Sequence, residues 1–195
     1  MRVGVFLFEG VDLLDAGGPY EVFLTASRLA EREGSPPPFD VVTVGVTADP
    51  VVAYGGLGLV PHAALDAAGA IDILVVPGAI AIDTALTDPD LLRAVGKAAE
   101  TVPVMASVCT GAFVLGDIGL LRDRRWTTHW EDVAALEAKV GSRGEAWLRW
   151  VDAGSVVTAG GLSSGIAMAL HLVDRFAGRD LATRTARQLE YEWVP

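Results

Sequence analysis

The sequence predicts an α/β domain built on a mostly parallel sheet with helices on both faces. Strand-like and helix-like stretches alternate along all 195 residues, which is the signature of strand–helix–strand units. Two of the strand-like stretches, Ile71 to Val76 and Val102 to Val108, are almost wholly apolar. A strand with one wet face alternates, so continuous runs belong in the middle of a sheet covered on both sides. A third observation singles out one place. Val102–Val108 ends at Cys109, the only cysteine of the chain, and Thr110-Gly111 then opens a helical pattern.

The elements follow in order. Val3 to Phe8 is the first strand. Leu13 to Glu33 carries helical spacing (Val22, Phe23, Ala26, Leu29, Ala30) and runs into Gly34-Ser-Pro-Pro-Pro38, which cannot continue a helix. Phe39 to Val46 is the next strand. Val51 to Val60 holds Gly55, Gly56 and Gly58 between β-branched residues and reads as a small hairpin. Ile71–Val76 ends at Pro77-Gly78. Asp88-Pro89 opens a helix to about Glu100, with proline at the first helical position, where its missing N–H costs nothing. After Val102–Val108 come helices from Thr110 to Leu121 and from Glu131 to Val140, the second closed by Gly141. Trp147 to Asp152 and Ser155 to Thr158 are two strands joined by Ala153-Gly154. Ser163 or Ser164 is expected to cap a helix reaching Ala177, and Arg179 to Tyr191 forms the last helix. No linker or repeat divides the chain, so residues 1–195 are expected to form a single domain.

Composition narrows the function classes. Hydrophobic residues make up 51% and charged residues 21%, a globular balance. No apolar run reaches the roughly 18 residues of a membrane span. The N-terminus enters a strand at once, without the order of a signal peptide. One cysteine makes no internal disulfide, so a reducing, cytoplasmic setting away from membranes is expected. The net charge of −10 argues against nucleic acid as a partner. Three histidines and one cysteine, far apart, show no zinc-ligand spacing, so neither metal nor cofactor is expected.

Open parallel sheets place their sites at the C-terminal ends of strands. Three such ends are Phe8-Glu9-Gly10, Pro77-Gly78-Ala79 and Val108-Cys109-Thr110. Ser107 to Gly111 has the layout of a nucleophile elbow, with cysteine in the place of serine. A thiol there faces the free N–H groups of the next helix, and the helix dipole favours the thiolate. Such a nucleophile wants an acid or base within reach. His129, in Trp126-Thr-Thr-His129-Trp130, lies in a short loop that can return over the elbow. His62 follows Pro61 near the hairpin, and His171 lies mid-helix. Among the carboxylates, Asp12 suits a helix N-cap. Asp15, between Leu13-Leu14 and Gly17-Gly18, is expected to point inward, with Glu21 one turn further on as a second candidate. Gly161-Leu-Ser-Ser-Gly165 matches the G-x-S-x-G pattern of serine hydrolases, but no carboxylate lies between Ser163 and His171. That stretch reads as a tight turn and helix cap.

Taken together, Ser107-Val-Cys109-Thr-Gly-Ala-Phe-Val-Leu, Gly119-Leu-Leu121 and Thr127-Thr-His129-Trp130 resemble the ThiJ/PfpI superfamily. More narrowly they are similar to its isonitrile hydratase branch. Leu14-Asp15, Gly18-Pro19, Val76-Pro77-Gly78, Thr158-Ala-Gly160-Gly161 and Gln188-Leu-Glu190-Tyr191 extend the resemblance over nearly the whole chain. It implies a flavodoxin-like three-layer α/β/α sandwich of the class I glutamine amidotransferase-like kind, a homodimer, and the cysteine at a nucleophile elbow. It implies Asp15 as partner of Cys109, where much of the superfamily has glutamate, and a part in activity for Thr110. The implied reaction adds water to a small electrophilic isonitrile to give an N-substituted formamide. In it, Cys109 attacks as thiolate, Asp15 moves protons, and His129 orients and polarises the site. The N–H groups near Thr110 and Gly111, with those of Gly78 and Ala79, hold developing negative charge.

Two alternatives stay open. One is cysteine-based glyoxalase or deglycase chemistry. The other is a non-enzymatic ligand or redox sensor related to the amidotransferase-like domain of AraC-type transcription regulators. There are departures from the pattern. The usual Pro-Gly-Gly turn is Pro77-Gly78-Ala79, which is strained if the third position needs a positive φ. Ile80-Ala-Ile-Asp83 replaces a glycine-rich stretch, so a different substrate pocket is expected.

Overall fold

Val3, Val5, Phe6, Ile73, Leu74, Val75, Val76, Ala106 and Val108 have no solvent exposure, as strands buried on both faces require. The computed structural model describes residues 1–194. Its main sheet is formed by β1 (Arg2–Phe6), β2 (Asp40–Gly45), β5 (Ala63–Ala64), β6 (Ile73–Val76), β7 (Val104–Val108), β8 (Trp150–Asp152) and β9 (Val156–Ala159), in the order β5-β2-β1-β6-β7-β9-β8. All neighbours are parallel except β8, which pairs antiparallel with β9. The expected hairpin is the separate pair β3 (Val51–Val52) and β4 (Gly58–Leu59).

Among the described residues, seven α-helices cover the sheet: α1 (Leu13–Arg32), α2 (Ile82–Leu86), α3 (Pro89–Ala99), α4 (Gly111–Asp117), α5 (Val133–Val140), α6 (Ser164–Ala177) and α7 (Arg179–Gln188). α1, α6 and α7 pack against one another, and α2, α3, α4 and α5 form a second group. The chain moves one way from β1 to β2 and the other way from β6 to β7. Right-handed crossovers then put α1 and α3 on opposite faces, which gives the three-layer flavodoxin-like sandwich. Among the described residues no helix is long and apolar enough to cross a membrane.

Several boundaries move for local reasons. The helix expected from Thr110 to Leu121 is α4 and stops at Asp117. Gly119, at φ +81°, reverses the chain, and the Leu120 N–H donates back to the Leu115 carbonyl at 2.9 Å. The last helix ends at Gln188 rather than Tyr191. Trp147 lies outside β8, at φ +67°. Neither Ser163 nor Ser164 is a side-chain cap: Ser163 stands at the N-cap of α6 in helical conformation with no cap hydrogen bond. β5 and α2, of two and five residues, are too short to show a period and were not expected. α3 begins as expected, with Asp88 accepting from the Asp90 and Leu91 N–H groups.

Two glycines separate close packing from conformational freedom. A Cβ on Gly111 would lie 2.2 Å from the Val76 carbonyl oxygen and 2.7 Å from that of Pro77, so α4 starts flush against the end of β6 only because this residue is glycine. A Cβ on Gly96, inside α3, would meet only Ile118 Cγ2 at 3.7 Å. Gly111→Ala is therefore expected to cost about 1 to 3 kcal/mol. Gly96→Ala is expected to stabilise by about 0.5 to 1 kcal/mol. Urea unfolding of the two variants beside the parent checks both signs.

Candidate active site

The direction of winding reverses between β1 and β6, and the crevice beyond their C-terminal ends is where open α/β sheets bind ligands. Short bonds tie these ends together. Val11 bridges Ala79, and the Asp12 N–H donates to the Gly78 carbonyl at 2.8 Å. Asp12 then caps α1, its carboxylate accepting from the Leu14 N–H at 2.9 Å and the Asp15 N–H at 3.4 Å. That cap orients the first turn of α1 and drives Asp15 inward, where it is fully buried. Pro19, inside α1, offers no N–H to the Asp15 carbonyl, so the cap carries more of the orientation.

Cys109 follows β7 at φ +56°. For a residue with a Cβ this left-handed conformation costs about 1 to 3 kcal/mol and persists only where neighbours enforce it. Here its N–H donates to the Gly160 carbonyl at 3.0 Å, and its own carbonyl accepts from the Thr128 hydroxyl at 2.7 Å. The turn presents the half-buried sulfur to the Thr110 and Leu162 N–H groups and to the Asp15 carboxyl. Asp15 Oδ2 accepts from the Gly78 N–H at 3.1 Å. Oδ1 is buried and closes no hydrogen bond within the protein, although the Cys109 thiol and the Leu162 N–H both lower the carboxyl's pKa.

Burial dominates the electrostatics. It pushes Asp15 up to about 7, helped by the Asp12 charge and opposed by the Gly78 N–H, the thiol and the Leu162 N–H. Burial, and next the Asp15 charge, pushes the Cys109 thiol up to about 12, against the N–H groups of Thr110 and Leu162. The expectation that the N–H groups and the helix dipole favour the thiolate is thus corrected. Desolvation and a neighbouring carboxylate outweigh the Thr110 N–H at the start of a seven-residue helix and the Leu162 N–H. Above about pH 7 the pair holds a single proton, on sulfur, beside a carboxylate able to take it.

The other expected residues divide. The Thr110 hydroxyl donates to the Ala79 carbonyl at 2.8 Å and accepts from the Ala79 N–H at 2.9 Å. This two-way bond joins the elbow to the β6 turn and leaves the hydroxyl no further proton to give. The Gly78 N–H serves Asp15 and the Ala79 N–H serves Thr110, so neither is free to hold developing charge, contrary to expectation. Gly111 contributes close packing rather than an N–H directed at the sulfur. Ala79 lies outside the left-handed region and carries no strain from replacing glycine. Gly78 is needed for closeness, since a Cβ there would fall 2.5 Å from Thr110 Oγ1 and 2.8 Å from Asp15 Oδ2.

His129 comes back over the elbow through its neighbour Thr128, but makes no hydrogen bond to Cys109 or Asp15. Its Nδ1 lies 3.6 Å from the Asp132 carboxylate and 3.7 Å from that of Glu131. Its ring lies against Gly161, where a Cβ would come within 2.2 Å of Cδ2. Glu21 accepts from the Thr25 hydroxyl at 3.1 Å and is exposed, away from the thiol. His62 pairs with Thr43, and His171 with Asp152. Leu162 was missed; the one signal for it was the tight turn of Gly161–Gly165, which at φ +45° turns the Leu162 N–H toward the site. Among the described residues no three His, Cys, Asp or Glu side chains could hold a metal ion. A cavity of about 460 Å³ between α3 and residues 65–71 lies away from Cys109.

Residues 1–175 match the DJ-1/PfpI family. The isonitrile hydratase of Pseudomonas putida is 32% identical, over 100% of this chain and 80% of its own. The HTH-type transcriptional regulator GbdR of Pseudomonas aeruginosa is 28% identical over 98% of this chain, which spans only 51% of that regulator. A ThiJ/PfpI family protein from Pseudomonas syringae superposes with a TM-score of 0.85 at 23% identity, covering 100% of this chain and 76% of that one, and so shares the fold.

The raised pKa of Asp15 fixes the sign of a stability effect. Between about pH 4 and its folded value of about 7, the folded carboxyl binds more protons than the unfolded one, so it costs stability as pH rises through that window. Asp15→Asn removes the cost. The stability of the variant relative to the parent is expected to climb by up to roughly 4 kcal/mol from pH 4 to pH 8, measured by denaturant unfolding at each pH.

Proposed function

The chain belongs to the DJ-1/PfpI family, and from that premise we propose that it is a cysteine-dependent lyase of the isonitrile hydratase type, adding water to a small isonitrile to give an N-substituted formamide. The observation that carries this reading is the buried Asp15 carboxyl, with Oδ1 unpartnered, facing the Cys109 thiol. Water addition needs a nucleophile and one group that alternates between base and acid. In this reading the protein works in the cytoplasm as a homodimer, on a small-molecule electrophile.

As the sulfur bonds to the terminal isonitrile carbon, the thiol proton passes to the Asp15 carboxylate. Asp15 returns it to that carbon, giving a thioimidate. A water held at Oδ1 then loses a proton to Asp15 as its oxygen adds to the same carbon, and Asp15 passes that proton to the nitrogen. As the carbon–sulfur bond breaks, the new hydroxyl gives its proton to Asp15, which returns it to the sulfur, and the formamide leaves. The Thr110 and Leu162 N–H groups stabilise charge on sulfur as it attacks and departs. The Thr110 hydroxyl acts through Ala79 as a positioning group, and His129 shapes the wall.

A second reading, a ligand-sensing domain, draws support from the likeness to GbdR.

The test is formamide production from cyclohexyl isocyanide. Cys109→Ala is expected to abolish it, and Asp15→Asn to lower kcat/KM by about 10² to 10⁴. Parent turnover no greater than that of Cys109→Ala overturns the hydratase reading. The parent kcat/KM should rise with pH through about 7, where Asp15 becomes the base, and level off above it. Asp15→Asn should lose that rise. Gly78→Ala should lower kcat more than it raises KM, since its methyl displaces Asp15 or Thr110.

A further inference from the structure

Trp130 and Trp147 are 51% and 76% exposed, yet their rings stack with centroids 5.1 Å apart and planes 16° from parallel. Trp126, by contrast, is wholly buried and donates its indole N–H to Ser142 at 2.9 Å. Among the described residues, neither exposed indole N–H is hydrogen-bonded, and no cation sits over either ring. Trp147 also holds φ +67°, a conformation a bulky residue rarely adopts. A strained backbone that aims an unused aromatic face at solvent points to an absent occupant.

The pair is joined to the elbow. The Cys109 N–H donates to Gly160, and the Gly160 N–H donates to the Arg149 carbonyl at 3.0 Å, which holds the 147–149 segment beside the site. The His129 ring, seated against Gly161, lies 5.7 Å from Trp130. His129, Trp130 and Trp147 thus make a row of rings that begins at Gly161, next to the Gly160 carbonyl that holds the Cys109 N–H. Leu162, whose N–H reaches the sulfur, and Ile80, beside Ala79, are exposed as well.

We propose that the Trp130–Trp147 pair is a recognition platform for a flat aromatic group on the electrophile that Cys109 attacks, so that aryl-substituted substrates are preferred to alkyl ones of similar size. This rests on the reading of Cys109 as the nucleophile toward small electrophiles. A flat ring gains stacking on an indole face in addition to buried area, whereas a puckered ring gains area alone.

Because Cys109 is the only cysteine, its alkylation by maleimides isolates the effect from hydratase chemistry. The thiol adds across the maleimide double bond, sulfur to one carbon and the proton to the other, with nothing leaving. Rates with N-phenyl-, N-cyclohexyl- and N-methylmaleimide are followed by intact mass and divided by those of a free thiol. The phenyl rate should exceed the cyclohexyl rate by about two- to tenfold. In Trp147→Ala and Trp130→Ala that ratio should fall to about one while the methyl rate holds, and Trp147→Phe should keep part of it. A ratio unchanged in the alanine variants overturns the proposal. So does a methyl rate that falls in parallel, which marks a structural role. Conversion of a dimer to a monomer by Trp147→Ala in sedimentation also overturns it, because a second copy then covers the pair. Absence of formamide in the isonitrile assay overturns the hydratase reading alone and leaves the maleimide result standing.

Discussion

Burial of the Asp15 carboxyl is the constraint on which the rest of the site depends. A carboxylate taken out of water stays ionised only if donors replace the solvent. Asp15 has one closed bond, from the Gly78 N–H, and one oxygen with none. The outcome is a carboxyl titrating near neutrality and a sulfur that keeps its proton. The Asp15 charge discourages ionisation of the thiol, while the thiol favours the Asp15 carboxylate, so above about pH 7 the site carries one negative charge.

Keeping that carboxyl in place requires three strand ends to meet at atomic contact. Asp12 turns the start of α1 and reaches the Gly78 carbonyl. Gly78 has no side chain to separate Asp15 from Thr110, and the Thr110 hydroxyl closes on both polar groups of Ala79. Gly111 lets α4 begin directly on the last carbonyls of β6. Each of these residues serves position more than chemistry. The groups left with free capacity at the site are the sulfur and the open oxygen of Asp15, with the N–H groups of Thr110 and Leu162 directed at the sulfur.

The surroundings of the pair match that economy. Leu13, Leu14, Ile80, Leu162, Trp130 and Trp147 leave apolar surface on the segments that flank the site. Apolar surface beside a buried, singly charged pair lowers the local dielectric and strengthens electrostatics within.

Read alone, the sequence determined the alternation of strand and helix, the central strands (expected over Ile71–Val76 and Val102–Val108), the elbow at Cys109, the cap at Asp12 and the inward face of Asp15. These are local properties, legible because periodicity, capping and turn chemistry act over a few residues. Elements of two to five residues such as β5 and α2 left no period to read, and the left-handed turn at Trp147 cut short an expected strand. Tertiary structure alone decided which donors are spent and which are free. Gly78 meets Asp15 from 63 residues away and Ala79 meets Thr110 from 31, and Leu162 arrives from the far side of β9 to face the sulfur. It also turned His129 toward Asp132 and Glu131 and kept the proton on Cys109. Hydrogen-bond partners across strand ends and the depth of burial are set by how the layers close, which no spacing along the chain encodes.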